Sequence, residues 1–166
     1  LPDRTAALVL PGGFPEQFST DLSANDVVRQ QIRQLAATGA PVHAECAGLT
    51  YLVDELDGYP MCGVLSGSAR FTDRLTLGYR EAVTVADSPL HAIGDRAMGH
   101  EFHRTTVTFA DSYPPAWVYS GGHVDRVRDG AVHAGVHAGY LHTHPAAHPQ
   151  AITRFVAAAA TSKLAG

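Results

Sequence analysis

The stretch Pro41–Leu52, PVHAECAGLTYL, decides how the rest of the chain is read. Val42, His43 and Ala44 form a short apolar run suited to a buried strand. Glu45 and Cys46 make a sharp turn, and a helix starting at Ala47 carries Leu49, Tyr51 and Leu52. A strand that turns tightly into a helix pushes one side chain out at the strand's carboxyl end, and the small residues Ala47 and Gly48 allow close backbone approach. Cys46 occupies that turn, the position of a nucleophile. Unpaired N–H groups and the positive end of the helix dipole predict a lowered pKa for its thiol. The plainer alternative is a small buried hydrophobe, the common state of a free cysteine.

Upstream, Ala6–Leu10 is a continuous apolar run that ends in Pro11-Gly12-Gly13, as expected of a central parallel strand stopping at a glycine loop. A helix follows, with Ser23 and Asn25 as candidate N-caps, Val27, Val28, Ile32 and Leu35 at helical spacing, and Gly39 and Pro41 closing it. Strand, glycine loop, helix, strand, cysteine and helix together spell a parallel α/β sheet. Sites in such sheets lie at the carboxyl ends of the strands, where both Gly12-Gly13 and Cys46 are placed.

The bulk properties narrow the function. A chain of 166 residues with 45% hydrophobic and 17% charged residues suits one domain with a sizeable core. A net charge of -4 offers no basic surface for nucleic acid. Cys46 and Cys62 are the two cysteines and fall in no CxxC spacing, so a reducing cytoplasm is expected. No apolar run is long enough to span a bilayer, and LPDRTAALVLPGG lacks the layout of a signal peptide.

Downstream the chain turns β-rich. Gly58–Gly67 reads as loop, with Cys62 structural, and Arg70–Ala86 carries two alternating runs that look antiparallel. Gly99–Phe109 is another strand, and Tyr113-Pro114-Pro115 is a loop before Trp117–Tyr119. Asp129-Gly130, between Val124–Arg128 and Ala131–Gly135, is the strongest hairpin signal. Val136–His144 is expected as one strand, and after Pro149 a segment with Ile152, Phe155 and Val156 as the closing helix.

A cysteine nucleophile needs a base, and His142, just before a proline-rich loop, is the candidate. His142 and His144 leave the same face of a strand and, with His148, are candidate metal ligands. The segment offers no carboxylate and no HExxH spacing, so no metal is expected. His100 and His103 read as partly buried strand histidines.

Four blocks, LPGGFPE (10–16), HAECAGLTYL (43–52), GHEFHRT (99–105) and GYLHTHP (139–145), together resemble the C-terminal glutaminase domain of the cobyrinic acid a,c-diamide synthases. These are ATP-dependent amidases of cobalamin synthesis, with glutaminases of the class I-like amidotransferase type. The resemblance implies a three-layer, flavodoxin-like α/β domain with a mixed, mostly parallel sheet and a β-rich C-terminal half. It carries the nucleophile onto Cys46, the activating histidine onto His142, and the oxyanion hole onto Ala47 with Gly12 or Gly13. It departs from the usual Cys-Gly-Gly at Cys46-Ala47-Gly48 and from the usual Ala-Ser-Tyr at Ala138-Gly139-Tyr140, keeping side chains small at both places. Many class I relatives place a glutamate two residues after the histidine; here His144 stands there, leaving His144, Glu101 or the backbone to orient His142. Glu45 is expected to point away and anchor the elbow.

The same resemblance implies a piece of a larger synthase, over residues 1–166, that lacks the domain's first strand and helix and the upstream ATP-binding synthetase domain. No GxxxxGK[ST] loop occurs in this chain, so ATP and Mg2+ are expected in that other domain and no cofactor here. Expected partners are glutamine, the synthetase domain with its corrinoid, and a second copy of the chain across an uncovered sheet edge. The expected function is glutamine hydrolysis that supplies ammonia to the a and c carboxylates of cobyrinic or hydrogenobyrinic acid. Two alternatives stand beside it: a DJ-1/PfpI-like cysteine hydrolase, and a glutaminase-like docking module without turnover.

Overall fold

The computed structural model describes residues 1–121 and 126–164. In chain order its elements are β1 (Leu8–Leu10), α1 (Pro15–Ala24), α2 (Asp26–Ala37), β2 (Val42–Glu45), α3 (Ala47–Leu52), β3 (Glu55–Leu56), β4 (Tyr59–Pro60), β5 (Gly67–Val83), β6 (Arg96–Phe109), β7 (Trp117–Tyr119), β8 (Val127–Asp129), β9 (Ala131–His133), β10 (Val136–Gly139), β11 (His142–Thr143) and α4 (Pro149–Leu164). A four-stranded sheet runs β1-β2-β10-β9. The first two pairings are parallel and the last antiparallel. On β2, Val42 and Ala44 are buried against α2 and α3, while His43 on the opposite face meets Phe155 of α4. Helices therefore cover both faces of the sheet, giving the three layers of the expected α/β fold.

Strand β1 is an edge strand rather than a central one. Leu8 and Leu10 pack on the core beneath α2 and α3, but Val9 is 54% exposed. The alternation of side chains along a strand sends Val9 to the other face, so a continuous apolar run did not mean burial on both sides. The helical segment also differs from expectation, being two helices. Pro15 at the first turn and acidic Glu16 start α1. Asn25 breaks the helix and caps α2 by accepting from the Val28 N–H at 3.3 Å.

The second sheet is built on the long antiparallel pair β5 and β6, whose register shifts between Phe71 and Thr76. Such an irregularity bends the strand, and here Arg104 bridges it by donating to the Asp73 carbonyl at 2.7 Å. The expected Asp129-Gly130 hairpin is not formed. Val124 lies outside the described residues, but β8 pairs with β7 while β9 pairs with β10 in the other sheet. Gly130 instead serves a close approach: a Cβ there would lie 1.9 Å from the Ala138 carbonyl oxygen. The hairpin of this region turns at Ala134-Gly135, both at positive φ, as two-residue hairpin loops require.

Val136–His144 is likewise not one strand. The Asp129 carboxylate accepts from the N–H groups of Tyr140 at 2.9 Å and Leu141 at 3.1 Å. Those donors are thereby withdrawn from any ladder, and the chain crosses to the second sheet, where His142 pairs with His100. This crossing carries the late histidine out of the main sheet.

Glycine at position 48 lets α3 rest on β1. A Cβ there would sit 2.2 Å from the Leu10 carbonyl oxygen, which is backbone and has little freedom to retreat. Gly48→Ala is expected to lower stability by about 1–3 kcal/mol. Urea unfolding checks this, and an unchanged midpoint would count against the packing described.

Beneath α4, His43, His91, His137 and His148 gather with Trp117. The ring centroids of His91 and His137 lie 5.5 Å apart, and those of His91 and Trp117 4.8 Å apart. Burial, with neighbouring histidines adding to it, pushes His91 down to about 4 and His137 well below its ordinary value. In the unfolded chain each takes a proton near pH 6.5, but the folded His91 does so only near 4. Their contribution to stability is therefore full above about pH 6.5 and is lost as pH falls below it, by about 1.4 kcal/mol per pH unit for each group that stays neutral in the fold. Urea midpoints measured between pH 7 and 4.5 should decline; a level profile would contradict the buried, neutral state of these rings.

Candidate active site

Cys46 sits between the end of β2 and the start of α3 with φ 51° and ψ -104°, a conformation outside those a non-glycine residue adopts readily. Its N–H donates to the Gly139 carbonyl of β10 at 2.8 Å, and its own carbonyl accepts from Thr50 at 3.2 Å as the helix begins. The surrounding elements hold the strained turn on both sides, which is the strand-to-helix elbow expected from the sequence.

The electrostatics differ from expectation. Cys46 is 5% exposed, and burial pushes its thiol pKa up to about 11. The N–H groups of Ala47 and Gly13 directed at the sulfur act in the opposite sense, and the charges of Glu16 and Glu45 add to the rise. Desolvation outweighs the helix start because α3 spans only six residues and the sulfur lies under β6, where the thiol donates to the Phe102 carbonyl at 3.7 Å.

His142 on β11 lines the same cavity as Cys46, Gly12 and Gly13. Its ring stacks on His100 with centroids 4.9 Å apart and planes 9° apart. Burial lowers its pKa; the Glu45 charge opposes this, and His100 and His103 add to the lowering. Thiol and imidazole are thus both neutral, with no ion pair to draw them together, and the thiol's hydrogen bond goes to Phe102 rather than to the ring. Gly12 lies directly against the imidazole, since a Cβ there would fall 2.2 Å from Cε1. The N–H groups aimed at the sulfur are those of Gly13 and Ala47.

Glu101 and His144, the expected orienting residues, are both held by other partners. The Glu101 carboxylate is taken by Arg80 at 2.7 Å, the Tyr119 hydroxyl at 2.7 Å and His103 at 3.4 Å. His144 Nδ1 accepts from the Ala146 N–H at 3.2 Å in the turn after β11. The carboxylate that does approach is Glu45, whose Oε2 lies 3.8 Å from His142 Nδ1. The alternation on β2 carried that signal: with Val42 and Ala44 facing the core, His43 and Glu45 both face the other way. A second cavity against Cys46 is lined by Phe14, Leu75 and Phe102 and by the charged Glu16 and Arg104, neither of which the sequence singled out as a site residue. Among the described residues no three His, Cys, Asp or Glu side chains converge as metal ligands, and no helix is long and apolar enough to cross a membrane.

Known proteins resemble this chain to different depths. A glutamine amidotransferase of solved structure superposes with TM-score 0.61 at 20% identity, over 93% of this chain and 79% of that one. One from Thermotoga maritima gives 0.57 at 15%, over 94% and 63%. At these identities the likeness is one of fold. In sequence, the hydrogenobyrinate a,c-diamide synthase of Mycobacterium tuberculosis is 73% identical over 96% of this chain and 35% of its own length. The cobyrinate a,c-diamide synthase of a Synechococcus strain is 38% identical over 95% and 36%. The chain thus spans about a third of the length of the curated relatives it matches. The likeness extends from fold to sequence through residues 1–150, and the chain belongs to the family of CobB/CobQ-like glutamine amidotransferase domains.

Proposed function

We propose that this chain is a glutaminase domain, over residues 1–166, that releases ammonia from glutamine for the amidation of the a and c carboxylates of hydrogenobyrinic acid or its cobalt-containing counterpart. The observation that carries the reading is Cys46 on a strained elbow, with the N–H groups of Gly13 and Ala47 at its sulfur and His142 in the same cavity. Membership of the amidotransferase family sets aside a DJ-1/PfpI-like hydrolase.

The sulfur attacks the side-chain amide carbon of glutamine while His142 takes the thiol proton. Because both groups rest neutral, proton transfer accompanies attack rather than preceding it. The carbonyl oxygen becomes an oxyanion that receives the N–H groups of Ala47 and Gly13, donors worth about 3 kcal/mol of barrier each in comparable sites. Collapse breaks the C–N bond, His142 returns the proton to the departing ammonia, and a glutamyl thioester remains. Water, deprotonated by His142, then releases glutamate and the thiol. Glu16 and Arg104, which line the cavity against Cys46, have charges suited to the α-ammonium and α-carboxylate of the substrate.

ATP and Mg2+ belong to a synthetase portion outside this chain, which has no phosphate-binding loop of its own, and the two work together in the cytoplasm. A glutamine-mimicking electrophile should label Cys46 and leave Cys62 untouched, as read by peptide mass. Labelling of neither would favour a docking module without turnover.

A further inference from the structure

We propose that Glu45, the residue before the nucleophile, is the positioning residue for His142. This rests on the reading of Cys46 and His142 given above. The carboxylate is fixed from both sides. Its Oε1 accepts from the Thr143 N–H at 3.0 Å and the Thr143 hydroxyl at 3.1 Å, and lies 3.3 Å from His43 Nε2. Its other oxygen, Oε2, faces His142 Nδ1 at 3.8 Å.

The clamp is made by the residue next to His142, so it ties the elbow on β2 to the strand that carries the base. The clamp and the base therefore move together. A carboxylate held there favours the tautomer with its proton on Nδ1 and leaves Nε2 to accept the thiol proton. When His142 becomes an imidazolium, its new charge faces an anion, and the 3.8 Å separation is short enough to close to a hydrogen bond by a small ring rotation. The remaining groups facing the ring are the stacked His100 and, further off, His103. Neither supplies negative charge.

The location explains why the role passes to the elbow. Glu101 is saturated by Arg80 and Tyr119 in the second sheet, and His144 is committed to the turn that follows β11. Glu45 is also 98 residues before its Thr143 partner, so the two ends of the site lock only when the main sheet and the second sheet are joined.

The test is made on the full-length protein that carries this domain. Glu45→Gln keeps the size and hydrogen-bonding reach of the side chain and removes its charge. The kcat for glutamine hydrolysis should fall roughly 10- to 100-fold with KM changed less than about threefold. The acid limb of the kcat/KM profile should move to lower pH, because the Glu45 charge holds the His142 pKa up. His100 and His103 face the ring in both proteins and leave this comparison intact. Glu45→Asp keeps the charge at a greater distance, so its acid limb should stay closer to that of the wild type and its kcat should be intermediate.

Glutamine substitution that leaves kcat and the acid limb unchanged overturns the assignment. So does a loss that appears as a lowered thermal midpoint and raised KM with the acid limb unmoved, which marks a purely structural anchor. If Glu45→Gln does not fold, Thr143→Val decides. Removing the hydroxyl that aims the carboxylate should lower kcat roughly 3- to 10-fold at constant KM, and no change overturns the proposal. Cys46→Ser in the same protein separates the two levels: activity surviving that change would refute the glutaminase mechanism itself rather than the role of Glu45.

Discussion

Cys46→Ser should lower glutamine hydrolysis by at least about a thousandfold, since removing a nucleophile that acts with its base as a unit abolishes nearly all of the chemistry. The site gives serine little help. Cys46 is 5% exposed, and the charges of Glu16 and Glu45 disfavour an anion at that position. The base is weakened by its own burial. A thiol raised to about 11 remains within reach of such a base at the moment of attack, whereas an alcohol is several units less acidic still. Cys62→Ala is the informative partner. Cys62 is buried and its carbonyl accepts from Arg33 at 2.6 Å; burial pushes its thiol up to about 12, and the side chain beside it is the Tyr51 hydroxyl rather than a histidine. Its loss removes a small buried side chain that pairs with the Tyr51 hydroxyl, and should cost stability, about 1–2 kcal/mol, and leave hydrolysis in place. In the full-length protein, ammonia release from glutamine, and amide formation with glutamine or with added ammonium, distinguish these outcomes. Glutamine-driven synthesis should vanish in Cys46→Ser while ammonium-driven synthesis continues. Wild-type turnover in Cys46→Ser would sink the assignment.

Gly12→Ala should give the next largest loss, on the order of a hundredfold in kcat, with the fold retained. The Cβ would fall 2.2 Å from His142 Cε1 and 3.1 Å and 3.2 Å from the two ring nitrogens. Carbon atoms in contact rest about 3.5–4.0 Å apart, so the imidazole must withdraw by more than an ångström. That movement takes it off the His100 stack and alters its approach to Glu45 and the thiol. Because the obstacle is the end of a side chain and not backbone, the stability cost should be small. Gly13→Ala is the contrast: its Cβ would meet only the Ala47 Cβ at 3.7 Å, an ordinary contact. A smaller loss is expected there, and equal losses at the two positions would show that backbone freedom, not room for the imidazole, is what the glycine loop supplies. Steady-state kinetics with thermal midpoints for both variants give the answer.

What the sequence determined by itself was local and periodic. Val42-His43-Ala44 before a turn and small residues after it specified the elbow, because a strand needs alternation and a close-packed helix start needs room, and both are properties of neighbouring residues. Asn25 as a cap and the apolar spacing of α2 were readable for the same reason. Pro15 and Glu16 carry an equally local signal for the start of α1. The Asp129-Gly130 turn looked like a hairpin, yet the residues flanking it belong to different sheets, since pairing partners are chosen by the strands available and not by the turn alone. Tertiary structure alone decided the state of the site. The Cys46 pKa rises because β6 covers the sulfur with Phe102, 56 residues away in the chain, and desolvation from such distant cover outweighs a short helix. Glu45 turns toward His142 because Thr143, 98 residues later, holds its carboxylate there, and a side chain's direction beyond its strand face is set by whichever partner the fold brings to it.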